Sequence, residues 1–155
     1  MIKNNNTVLI GGVVLFKDVR GKRTFLVVKQ TAEENWELPK VTVRKGESSV
    51  RAVLRLTGEL SGISAKVLEE AGRSSGVASV GGRVITQKYF YYLMIQKAAG
   101  EMMGFPFYKW FDYAKTLKTL NLKREKDMLK QGKDVLKEWE KIHNKKHRDS
   151  SPQGE

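Results

Sequence analysis

The chain has 155 residues, of which 40% are hydrophobic, so it is long enough to fold as one domain around its own core. It contains no cysteine, which excludes disulfide bonds and cysteine-ligated zinc sites. Its 29 Lys and Arg outnumber its 17 Asp and Glu and give a net charge of +12. The excess is +7 over residues 1–114 and +5 over residues 115–155, so it is spread along the chain.

The positive charge has two explanations that composition alone leaves open. Such a field attracts polyanions, among them nucleotides, RNA, DNA and anionic lipid headgroups. Many small proteins are, however, basic only because charge keeps them soluble. No run of residues is apolar and long enough to span a bilayer, and the first residues lack the pattern of an export signal. We therefore expect a soluble cytoplasmic protein with no membrane partner.

The first predicted elements are two strands. Residues 7–16 and 24–30 are rich in β-branched and aromatic side chains, and Gly21 between them indicates a turn. Pro39 then favours extended backbone in the residue before it.

A helix is predicted to follow. Ser48 or Ser49 can cap its start, Glu47 suits the positive end of its dipole, and Gly62 is a natural stop. Its buried face is predicted from residues at helical spacing, namely Val50, Val53, Leu54 and Thr57.

The middle of the chain is predicted to contain three more strands. Residues 65–72 favour a strand, and the small polar residues 72–82 are typical of a flexible surface loop. Residues 83–96 are apolar on both alternating faces, as in a central strand covered on both sides, and residues 105–111 form a short strand.

The rest of the chain is predicted to be helical, with a short helix at residues 112–120 and a longer one at residues 122–146. Residues 147–155 are predicted to be a disordered tail. Strands with one inserted helix and further helices behind them predict a single α/β domain, residues 1–146, in which helices cover a mixed sheet.

Four residues of the predicted helix and its flanks have the spacing of a known sequence signature. In GESSVRAVLRLTGELSGI, residues 46–63, these are Glu47, Arg55, Glu59 and Gly62. With WELPK just upstream, residues 41–63 resemble the signature of the Nudix hydrolase family, G-x5-E-x7-R-E-U-x-E-E-x-G-U, where U is a bulky aliphatic residue. The resemblance extends over the whole chain and is closest in layout to the diadenosine tetraphosphate hydrolase branch. It implies a Nudix-type α/β/α sandwich with a mixed sheet.

Three departures from that signature are serious. Val41 stands in place of the first glycine, and Leu56 and Leu60 stand in place of two of the three metal-binding glutamates. Residues four apart share a face of an α-helix, so we expect Leu56 and Leu60 to project together with Glu59 beside them. The resemblance implies hydrolysis of a nucleoside diphosphate linked to another moiety, using Mg²⁺ or Mn²⁺ held by those carboxylates. One carboxylate of three predicts weak or absent turnover.

The resemblance also assigns roles to individual residues. Glu59 is the one remaining candidate for catalysis and for metal binding, while Glu47 and Arg55 are spaced to brace the site by an ion pair. The candidates for contact with phosphate or nucleotide are Lys40, Arg44, Arg51 and Tyr89. A solvated basic rim and a Tyr89 that packs in the core explain the same residues.

Three functions therefore remain open. The first is a Nudix protein without useful catalysis that binds a nucleotide or another phosphorylated small molecule, with no metal required. The second is an active pyrophosphohydrolase of the dinucleoside polyphosphate type, dependent on Mg²⁺ or Mn²⁺, in which Glu37 or Glu101 supplements Glu59. The third, motivated by the net charge, is a basic protein associated with RNA or ribonucleoprotein.

Overall fold

The computed structural model describes residues 6–98 and 104–150, with side chains described as far as residue 144. Within that part of the chain there are six strands and three α-helices, and the first helix continues as a π-helical segment. The strands are β1 (Thr7–Val19), β2 (Lys22–Lys29), β3 (Lys40–Thr42), β4 (Ser64–Val80), β5 (Arg83–Ala98) and β6 (Phe107–Phe111). The helices are α1 (Ser49–Leu54), which continues as the π-helical segment Arg55–Leu60, α2 (Tyr113–Thr119) and α3 (Lys123–Ser150).

The strands form one mixed sheet in the order β4-β5-β1-β2-β6, and β3 pairs with the first half of β1. The pairing of β1 with β5 is parallel and runs from Thr7 opposite Thr86 to Phe16 opposite Ile95. Every other pair of strands in the described residues is antiparallel. The predicted mixed sheet is therefore confirmed.

Helices cover both faces of the sheet because alternate side chains of each central strand are apolar in both directions. One face, with Val14, Phe16, Tyr91 and Leu93, packs against α3 and α2. The other face, with Val13, Leu15 and Met94, packs against α1 and the π-helical segment. This arrangement is the predicted α/β/α sandwich.

Two predictions about elements are wrong. The predicted surface loop at residues 72–82 is the second half of β4, which pairs with β5 as far as Val80 opposite Arg83. The turn is reduced to Gly81 and Gly82, whose φ angles are +59° and +78°, as a tight two-residue hairpin requires. Small residues with weak strand propensity are extended here because the partner strand is strongly β-forming.

The last helix also differs from its prediction. It continues to Ser150, past the predicted end at residue 146, so residues 147–150 of the predicted tail are helical. Residues 151–155 lie outside the described part of the chain. No helix in the described residues is long and apolar enough to cross a membrane.

Candidate functional site

Residues 41–63 contain the end of β3, a loop, α1 and the π-helical segment, and the two helical parts lie on one face of the sheet. Ser48 caps α1, since its side chain accepts a hydrogen bond from the backbone N–H of Arg51 at 3.2 Å. Gly46 before the helix and Gly62 after it have φ angles of +79° and +69°, which residues with a Cβ adopt only with strain. The local sequence therefore fixes both ends of the element, as predicted.

Glu47 and Arg55 form the predicted ion pair. The Arg55 guanidinium donates to both carboxylate oxygens of Glu47, at 2.8 and 2.9 Å, and to the Thr42 carbonyl at 3.1 Å. Glu47 also accepts a hydrogen bond from the backbone N–H of Arg44 at 2.9 Å. The hydrogen bonds from Arg55 and then from Arg44 lower the pKa of Glu47 from its ordinary value to about 2. The pair thus ties the loop to the helix behind it.

This ion pair predicts a pH dependence of stability in acid. The native pKa of Glu47, about 2, lies below its ordinary 4.5, so between these values the unfolded state binds more protons. The stabilisation is present above about pH 5 and is lost as the pH falls towards about 2. We expect the urea midpoint of the wild type to fall more over this range than that of Glu47→Gln, whose side chain does not titrate. Equal falls in both proteins would contradict the assignment.

Leu56 and Leu60 do not project together, so that prediction is wrong. Leu56 is 4% exposed and belongs to the core beneath α1, whereas Leu60 is 46% exposed. Both residues belong to the π-helical segment Arg55–Leu60, which packs Leu56 into the core and leaves Leu60, its last residue, at the surface.

The predicted buried stripe is only partly correct. Val53 and Thr57 are buried as predicted, but Leu54 is 44% exposed, and Arg55 turns inward to reach Glu47. The face presented to solvent therefore contains Leu54, Glu59 and Leu60.

The residues present do not fit Mg²⁺ or Mn²⁺. These ions require several oxygen ligands in near-octahedral array, and Glu59 is an exposed carboxylate with Leu60 next to it in the chain. In residues 6–98 and 104–150, no three His, Cys, Asp or Glu are grouped so as to hold a metal ion. Glu37, proposed as a supplementary ligand, forms an ion pair with Lys40 instead. Glu101 lies outside the described residues.

The four predicted phosphate or nucleotide contacts fall into two groups. Arg44 and Arg51 are exposed, with Lys45, at the loop before α1 and in its first turn. Lys40 and Tyr89 lie at the opposite face of the sheet: Lys40 contacts Glu37 and Glu125, and Tyr89 is 4% exposed. Only the first group, which we call the loop cations (Arg44, Lys45 and Arg51), is free to meet a ligand in this conformation.

A fully buried carboxylate organises the second group. Glu125, in the first turn of α3, accepts hydrogen bonds from the Leu38 N–H at 2.6 Å, the Tyr91 hydroxyl at 2.5 Å and Lys40 Nζ at 3.2 Å. Burial raises the pKa of Tyr91, and the nearby Glu125 carboxylate raises it further. The sequence did not lead us to predict the buried position of Glu125. The available signal is that Glu125 precedes the buried Met128 and Leu129 by three and four residues, on the inward stripe of α3.

Two tyrosine rings and the Arg124 guanidinium are stacked next to Glu125. The Arg124 guanidinium lies 3.8 Å from the centroid of the Tyr89 ring, which itself stacks on Tyr91 with centroids 6.2 Å apart. A Cβ on Gly12 would approach the Tyr91 ring to 2.4 Å, so this glycine makes room for the ring. Tyr89 is thus a packing residue in this conformation rather than an open platform for a base.

The comparisons with known proteins agree with this geometry. The family model of the NUDIX domain matches residues 9–132, most of the chain. The chain belongs to the Nudix family. No curated protein sequence matches it.

Solved Nudix structures resemble this Nudix chain along most of its length. A C. elegans Ap4A hydrolase in a binary complex matches with a TM-score of 0.65 and 20% identity, over 83% of this chain and 97% of the hydrolase. The NUDIX domain of Shewanella oneidensis NrtR, complexed with ADP ribose, matches with a TM-score of 0.60 and 17% identity, over 84% and 88% of the two chains. At these identities the likeness establishes the fold alone.

Proposed function

We propose that this Nudix protein binds a nucleotide or another phosphorylated small molecule at the loop cations and does not hydrolyse it by the metal-dependent route. The observation that carries the proposal is the position of Leu56. It occupies the place of a signature glutamate and is committed to the core, 4% exposed. A metal-binding carboxylate at that position would need a different backbone course as well as a different side chain.

The energetics favour binding over turnover. Metal ions neutralise charge in the transition state of phosphate-transfer reactions and contribute several kcal/mol to it. Loss of about 4 kcal/mol leaves roughly a thousandth of the rate. Glu59 alone can supply at most two oxygen ligands, which is too few to hold and orient the ion for in-line attack.

The loop cations supply what an anionic ligand needs without a metal. Arg44 and Arg51 carry planar guanidinium groups that can donate two parallel hydrogen bonds to phosphate oxygens. Neither side chain forms an ion pair within the described residues, and both are exposed. The Glu47–Arg55 ion pair ties the loop to the helix. The backbone that carries Arg44 and Arg51 is therefore held in place before a ligand binds.

The names of the structural relatives guide the choice of ligand. One relative is an Ap4A hydrolase and another was solved with ADP ribose, so both names refer to compounds with linked phosphates. We infer the same ligand class for this chain, and the compound itself is to be found by titration.

The binding half of the proposal predicts that ADP-ribose or diadenosine tetraphosphate binds in EDTA, measured by calorimetry. The double variant Arg44→Ala/Arg51→Ala should bind at least about tenfold more weakly, because each charge-assisted hydrogen bond contributes on the order of 1.5–3 kcal/mol. Lys118→Ala/Lys130→Ala, which removes equal charge from exposed helix positions, is the matched control. Equal weakening of ligand binding in both double variants would indicate a general effect of net charge and would contradict a specific site at the loop cations.

The catalytic half is tested with the same compounds. In Mg²⁺ or Mn²⁺ we expect the wild type to release no more product than Glu59→Gln. Wild-type turnover that Glu59→Gln abolishes would overturn the proposal and establish the active hydrolase instead.

A further inference from the structure

The hairpin formed by the second half of β4 and the first half of β5 extends beyond the rest of the sheet. The pairing of β1 with β5 begins at Thr86, so among the described residues Val77 to Ile85 pair only within the hairpin. We call residues 73–88 the arm. Its three cations are Arg73, Arg83 and Lys88, and it contains no Asp or Glu. Its position and its charge suit contact with a polyanion.

A pocket of about 340 Å³ lies at the base of the arm and is lined by Arg73, Ser74, Ser75, Lys88, Tyr89 and Phe90. Its volume is near the lower end for small-molecule sites, which is enough for one nucleotide unit. Phe90 is half-buried, and the Arg73 guanidinium lies 5.2 Å from its ring centroid. Among the described residues, the carboxylate that contacts these lining groups is Glu70, which accepts a hydrogen bond from Arg73 at 2.6 Å.

The faces of the strands bring the aromatic ring and the charge together. Arg73 is opposite Phe90, and Ser75 is opposite Lys88, so these four side chains share one face of the sheet. Further along that face lie Val77, opposite Thr86, and Val84, opposite Ser79, and the two valines are 70% and 60% exposed. Cations therefore border a face that carries the Phe90 ring and two exposed valines among small hydroxyl side chains.

We propose that the arm and its pocket bind single-stranded nucleic acid, with a base against Phe90 and phosphates against Lys88 and Arg73. Aromatic rings beside cations in an open groove are the recurring chemistry of single-strand recognition. A duplex keeps its bases stacked on one another and offers Phe90 no free base face. This site does not depend on the loop cations, since a small phosphorylated ligand and a strand would contact different residues.

The test measures binding of a fluorescent oligouridine of about 12 nucleotides, within the range of lengths such sites cover. Heparin, a polyanion without bases, and a duplex of the same length are the comparison ligands. We expect the single strand to bind more tightly than either. Phe90→Leu, which keeps an apolar side chain but removes the ring, should weaken single-strand binding at least about fivefold and leave heparin binding unchanged.

Lys88→Ala provides the second variant, because the side chain is exposed and its removal leaves the core intact. Its affinity should fall, and its dependence on the logarithm of salt concentration should decrease by about 0.7, as for one lost phosphate contact. Lys118→Ala on α2 removes the same charge elsewhere and should change neither quantity. Equal effects of the two lysine variants would overturn the proposal. It would also be overturned if heparin bound as tightly as the single strand and Phe90→Leu left single-strand binding unchanged.

Discussion

Leu56→Glu is expected to lower the free energy of unfolding by about 3–5 kcal/mol, because it buries an unpaired carboxylate. Leu56 lies in the core in a cluster of apolar side chains that includes Val53 and Phe105. The substitution restores the letter that the family signature has at this position, so it separates similarity of sequence from similarity of geometry. Urea denaturation of the purified variant gives the value.

Leu60→Glu is the matched control, since it makes the same chemical change four residues later. Leu60 is 46% exposed, so its free energy of unfolding should change by less than about 0.5 kcal/mol. We also expect Leu56→Glu/Leu60→Glu to gain no tight Mn²⁺ binding in calorimetry. A double variant that is stable and binds Mn²⁺ would show that the core accommodates a carboxylate at residue 56, and our account of lost catalysis would fail.

Glu125→Ala is the second substitution with a large expected effect, again about 3–5 kcal/mol of lost stability. It leaves the Leu38 N–H and the Tyr91 hydroxyl without their acceptor in a buried site, while Lys40 keeps its ion pair with Glu37. Buried donors without partners each cost about 1–3 kcal/mol. Thermal and urea unfolding of the variant measure the loss.

Two further variants test whether the loss of stability comes from the buried hydrogen bonds. Tyr91→Phe removes one donor and keeps the carboxylate with its other two partners, so we expect a loss of about 1–2 kcal/mol. Glu138→Ala removes an exposed carboxylate from the same helix and should cost less than about 0.5 kcal/mol. If Glu125→Ala proved as mild as Glu138→Ala, the buried network would not be a source of stability.

Local chemistry made much of the fold predictable. Ser48 as a cap, the glycines around the helix and the apolar strands depend on neighbouring residues, and the structure has them as the sequence predicts. The Glu47–Arg55 ion pair was predicted from the family resemblance. Local propensities do not predict it, because the course of the chain between the two residues decides whether they meet.

The failures arose where a distant element decides the local conformation. Ser74 to Val80 are extended because β5 pairs with them, although their own propensities favour a loop. Leu56 and Leu60 lie in a π-helical segment that a pattern at α-helical spacing does not predict, and only Leu56 is buried. Glu125 appeared to be one surface charge among many on α3 until the strands beneath it supplied its hydrogen-bond donors.

The parallel pairing of β1 with β5 imposes an order on folding. The β1–β2 and β4–β5 hairpins close through two-residue turns, Arg20–Gly21 and Gly81–Gly82, and can form from residues adjacent in sequence. The seam between the hairpins joins residues far apart in the chain, so its loop-closure entropy makes it the slow step. Until it closes, each hairpin has an unpaired inner edge that another chain can occupy, and the yield of refolding should therefore decline as protein concentration rises.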